Sequence, residues 1–106
     1  MDYQIALSPE LGLSTADFVA AWNQAPEFRA VAEARVSESS GAQYDPALLV
    51  GAVALLGGVA LNVASNAIYD LIKQVLAKRG VRQRTEIMQF DQPDGSRLLV
   101  VKIVEE

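Results

Sequence analysis

A chain of 106 residues, 51% apolar and 21% charged, is the size of one domain with a single core. It has neither Cys nor His, which excludes disulfides, thiolate metal sites, thiol catalysis, the commonest general base and the main zinc ligand. Its net charge of −4 is unevenly spread: residues 1–70 hold two bases against eight acids, residues 71–106 seven bases against five acids, a split that favours contact with an oppositely charged surface or a second copy.

The opening MDYQIALS has no basic stretch ahead of an apolar one, so a cytosolic, bacterial-type protein is expected rather than one led by a signal peptide. Residues 2–8 alternate, with Tyr3, Ile5 and Leu7 on one side and Asp2, Gln4 and Ala6 on the other, which predicts a half-buried strand. Ser8-Pro9 ends it. Ser14 then offers a helix cap, with Asp17 placed to complete a capping box. The helix 15–24 puts Phe18, Ala21 and Trp22 on one face. Pro26 stops that helix and starts another, expected over 26–37, since a first-turn proline forfeits no hydrogen bond. The polar run 37–44 reads as a loop.

From Asp45 to Gly80 the sequence predicts one long Gly/Ala-rich helix. Asp45 is its cap, Pro46 its first residue, and Lys78-Arg79-Gly80 a basic and then glycine-terminated end. Residues 47–69 carry no charge. Unbroken, such a helix would be roughly 50 Å long at about 1.5 Å per residue. Gly57-Gly58 costs about 1 kcal/mol per glycine in a helix interior, so a bend is expected there. Beyond Gly80 the period becomes strand-like over 81–90 and 97–104, joined by a Pro-Asp-Gly turn. The last strand is apolar on both faces and is expected to lie centrally. The expectation is an α+β fold, a three-stranded sheet covered by helices, in one domain spanning 1–106.

The uncharged segment must be hidden from water, as a core helix or otherwise. Small residues at Ala47, Gly51, Ala54 and Gly58, with Leu61 beside them, would let a second helix approach closely, so self-association into a homo-oligomer through this seam is expected. The competing reading is a membrane-associated or pore-forming effector that uses residues 47–69, with basic residues following as at a cytoplasmic end.

Lys73, Lys78, Arg79, Arg82 and Arg84 form a basic cluster at the helix exit. It is explained first by helix-end electrostatics, and second by an anionic lipid or nucleic acid. No aromatic residues are interleaved to stack bases, which disfavours nucleic acid. Catalysis has little support: Asp70, Glu86, Asp91 and Asp94 have no spacing that demands pairing, and serines 37, 39 and 40 have no histidine to activate them. No cofactor is expected, no metal site, and no enzyme.

In order of elements, the acidic helical pair, the apolar GAVALLGGVALNVASNAIYDLIKQVL, the basic KRG and the terminal QPDGSRLLVV resemble the effector-associated constant component family of bacterial conflict systems. That resemblance implies a small non-enzymatic adaptor or signal-transmitting protein encoded beside proteases, STAND NTPases and other effectors. It implies an effector or regulatory protein as partner and carries over no functional residue.

Overall fold

A computed structural model describes residues 2–38, 52–60, 62–93 and 95–104. Five strands form one sheet: β1 (Tyr3–Leu7), β2 (Glu33–Glu38), β3 (Ala52–Gly57), β4 (Thr85–Asp91) and β5 (Arg97–Ile103). Three helices join them: α1 (Thr15–Gln24), α2 (Pro26–Arg29) and α3 (Ser65–Lys78). The strand order is β2-β3-β1-β5-β4. Only β1 and β5 run parallel; the pairs β1–β3, β2–β3 and β4–β5 are antiparallel. β3 is thus inserted between β1 and β2, the two strands that α1 and α2 connect.

The alternation read in residues 2–8 becomes a strand buried on both sides. Tyr3, Ile5 and Leu7 join the core under the helices, and Ala6 joins Val53, Leu98 and Val100 on the opposite face. Asp2 pins the start of β1 on both flanks: its carboxylate accepts from the Gly58 N–H at 3.1 Å, and its carbonyl accepts from the Arg97 N–H at 3.1 Å. β5 lies between β1 and β4, as its two apolar faces required.

α1 occupies the expected residues, with Ser14 Oγ accepting from the Asp17 N–H at 3.1 Å. Its Trp22 is fully buried between Phe18 and Phe28 and donates from Nε1 to the Ala32 carbonyl at 2.8 Å. α3 closes as the sequence indicated. The Val81 N–H returns to the Leu76 carbonyl and the Gly80 N–H to Ala77, with Gly80 at φ +86°. This pair of hydrogen bonds is the terminus that glycine permits. Ile68, Ile72, Val75 and Leu76 put α3 onto the same face as α1, so the α-helices of the described residues lie on one face of the sheet.

Three expectations are corrected. Among the described residues the sheet has five strands, not three. The helix expected over 26–37 ends at Arg29, and residues 33–38 form β2. There the Asn23 side chain of α1 accepts from the Ala34 N–H at 3.0 Å and donates to its carbonyl at 2.8 Å, so that this piece of chain is bonded as a strand.

The long central helix is also absent from the described residues. Residues 52–57 are β3, and α3 begins only at Ser65. Gly58 stands at φ +71°, outside the helical region, and ends β3 as a turn rather than bending a helix. The expected cap Asp45, Pro46 and most of the 37–44 loop lie outside the described residues. Among the described residues no helix is long and apolar enough to cross a membrane.

Candidate functional site

A five-stranded open sheet has two edges, and here they are finished differently. At the β2 edge, Asn23 occupies both main-chain groups of Ala34, as a neighbouring strand would. At the β4 edge no such cover exists among the described residues. β4 reads TEIMQFD, rich in β-branched and aromatic residues that fit a pleated surface. It pairs with β5 in an unbroken register from Thr85↔Ile103 to Asp91↔Arg97, so no bulge turns the edge away. It holds no proline and no internal lysine, two usual protections of a free edge.

The hydrogen-bond phase of this pair follows from its two ends. The Val104 N–H donates to the Arg84 carbonyl at 2.9 Å, and the Gln92 N–H to the Ser96 carbonyl at 2.9 Å. Alternation in an antiparallel ladder then turns the main-chain groups of residues 86, 88 and 90 toward β5. Those of Thr85, Ile87, Gln89 and Asp91 point outward.

The side chains of β4 divide between the two faces. Ile87, opposite Val101, packs against the core beneath the helices. Met88 and Phe90, opposite Val100 and Leu98, extend the apolar patch on the other face, where no helix of the described residues packs. They are 36% and 41% exposed, two of the three large apolar side chains that stand in water among the described residues; the third, Val36, lies on β2.

A polar seam fixes β4 from the helix side. Arg97, first in β5, donates to Ser65 Oγ at the start of α3 at 2.8 Å and reaches Tyr3 OH at 3.5 Å. Its Nε lies 3.8 Å from the Asp91 carboxylate. The Tyr69 hydroxyl of α3 donates to Gln89 Oε1 at 2.8 Å, and Gln89 Nε2 donates to the Asp91 carboxylate at 3.3 Å. Burial first, then the nearby Tyr3 and Asp91, push the Tyr69 phenol above its ordinary value near 10, with Arg97 pulling the other way. The phenol therefore keeps its proton through the neutral range and acts as a fixed donor. The seam ties the edge strand to the start of β5 and to α3.

The residues singled out in sequence are placed as follows. Ala54 of the small-residue seam is fully buried in the core under the helices, and Gly58 is in the turn after β3. Ala47, Gly51 and Leu61 lie outside the described residues. Over residues 52–58 there is no helical face for a second helix to meet.

The basic residues separate by partner. Arg79 lies 3.6 Å from the Asp17 carboxylate, and the Lys78 ammonium sits 5.0 Å above the Phe28 ring. Lys73 is exposed on α3, while Arg82 and Arg84 lead into β4. Of the acids considered, Glu86 lies 3.9 Å from Lys102, Asp91 belongs to the seam, and Asp70 is exposed on α3; Asp94 lies outside the described residues. Among the described residues no group of carboxylates is arranged to hold a metal ion.

Reading the sequence did not bring out the β4 edge as a surface. Its signal was there: Met88 and Phe90 alternate with Ile87 and Gln89 in a strand next to a turn, so one apolar pair had to face away from the core. Comparison with known proteins adds no constraint, since no family model, curated protein or solved structure matches the chain.

Proposed function

We propose that this protein is a non-enzymatic interaction module that docks other protein chains through β4 and the Met88 and Phe90 side chains it exposes. The observation that carries this reading is the exposure of Met88 and Phe90 on an edge strand without proline, lysine or bulge. Exposed apolar side chains grouped at one place mark docking sites more often than scattered ones do. A free edge is also a ready template for another extended chain. The finer role, an adaptor in a bacterial conflict system, rests on the sequence resemblance alone.

The test is co-expression with the proteins encoded beside it, followed by affinity purification of wild type and of the double variant Met88→Glu, Phe90→Glu. The expected result is a stoichiometric complex with at least one neighbour, weakened at least tenfold by the double substitution. Absence of any complex, with a neighbour or with a second copy, or one indifferent to the substitutions, would overturn the reading.

A further inference from the structure

We infer that the partner of the β4 edge is a second copy of this chain, paired antiparallel across a two-fold axis at Met88 to make a continuous ten-stranded sheet. The inference rests on the reading of β4 as a docking strand and names what occupies it.

The main-chain phase selects the register. Outward groups belong to Thr85, Ile87, Gln89 and Asp91, so two copies can bond only through odd-numbered residues. Centring the axis on Met88 pairs Thr85 with Asp91 and Ile87 with Gln89, and each pair occurs twice. All four outward residues of both copies are then used. Moving the axis to Gln89 would pair Thr85 with Pro93, which has no N–H to give. Moving it to Ile87 would leave Asp91 beyond the strand of the other copy.

Charge selects the direction. The strand is entered through Arg82 and Arg84 and left through Asp91, so it is basic at one end and acidic at the other. Antiparallel pairing sets the basic end of each copy beside the acidic end of its mate, whereas parallel pairing would set like beside like. The other internal charge, Glu86, faces Phe90 rather than a second Glu86. On the face away from α1 and α3 the axis brings Met88 against Met88 with both Phe90 rings diagonal to it. Four exposed apolar side chains are thereby gathered into one cluster, in contacts that sulfur and aromatic rings favour.

At the β2 edge Asn23 already holds both main-chain groups of Ala34, which hinders a second strand there. The product is a two-fold dimer that ends in its two β2 edges.

Light scattering over a concentration series and single-cysteine trapping test this in the full chain. The wild type is expected to show twice the 11.4 kDa of one chain. Gln89→Pro deletes an outward N–H, and with it the side-chain bonds to Tyr69 and Asp91, while leaving every main-chain β4–β5 bond in place, so it should give a folded monomer. The chain has no native cysteine. Met88→Cys should therefore cross-link quantitatively on mild oxidation, since facing non-hydrogen-bonded residues have Cα atoms about 4.5 Å apart, within the roughly 4.4–6.8 Å a disulfide spans. Glu86→Cys, facing Phe90, should not. If Gln89→Pro fails to fold, the pair of cysteine variants decides alone.

A wild type that stays monomeric to about 1 mM, or a Met88→Cys variant that does not cross-link, overturns the self-pairing. Should a neighbouring protein still be captured by that monomer, and lost on Met88→Glu, Phe90→Glu, the docking reading survives while the second copy is ruled out. Loss of both results removes both.

Discussion

Tyr69 is where one side chain reports on the β4 edge. Its hydroxyl donates to Gln89, and burial, with Tyr3 and Asp91 adding to it, favours the protonated phenol in the fold. The sign of the pH effect follows. In the unfolded chain the phenol loses its proton near 10; in the fold it does so at a higher pH. The fold therefore holds more protons in that interval, and stability falls as pH rises through it. Below 10 the contribution is fully present. Urea midpoints measured from about pH 8 to about 11 should fall more steeply for wild type than for Tyr69→Phe, which has no phenol to titrate. Parallel curves would show that the hydroxyl is solvated and that the seam does not hold β4. Asn23 works at the same scale on the other edge, where one amide side chain replaces a strand for one residue of β2.

Among the elements, the glycine pair after β3 separates the expected helix from the observed strand by measurement. Gly58 is at φ +71° with nothing within 4 Å of where a Cβ would stand. Gly58→Ala therefore meets no clash and should cost about 1–2 kcal/mol through the left-handed backbone alone. At Gly57, a Cβ would meet only the Asp2 carboxylate at 3.9 Å, an ordinary contact. There Gly57→Ala should gain about 0.5 kcal/mol by reducing the freedom of the unfolded chain. In a continuous helix both substitutions would stabilise, so opposite signs in denaturant melts distinguish the two.

The same segment explains what the sequence could and could not reveal. α1, the end of α3, β1 and the β4–β5 pair were legible, because caps, a period of two and Pro-Asp-Gly are local signals. β3 was not: AVALLG is apolar on both faces, so it has no alternation, and its alanines and leucines are good helix formers. In β2 the alternation was present, Ala34 and Val36 against Glu33, Arg35 and Ser37, but a preceding first-turn proline and helix-forming residues outweighed it. Only pairing with β3 and the bonds from Asn23 settle that piece as a strand, and neither is local. The candidate site suffered the same way, since an edge exists only once the strand order is known.

At the scale of the whole molecule, the sheet order makes one cooperative unit of both halves. β1 comes first in the chain yet sits in the middle of the sheet, with β3 antiparallel on one side and the last strand, β5, parallel on the other. Neither half can bury Ile5 or Leu7 without the other, because α1, α3, β3 and β5 all contribute to the core around them. Trp22 belongs to the first half, on α1 and bonded to Ala32; much of the remaining helix signal comes from α3 in the second. Trp22 fluorescence and far-UV circular dichroism should therefore trace a single, coincident urea transition. Two separated transitions would mean that α1, α2, β2 and β3 form a unit able to stand without β5. In that case the β4–β5 pair would be an appendage on a smaller fold, and its edge would no longer be rigidly presented to a partner. Coincidence instead means that any chain binding only the folded edge stabilises every strand at once, through mass action on a single equilibrium. The midpoint of that transition should then rise with protein concentration if the occupant is a second copy, and stay fixed if β4 is free.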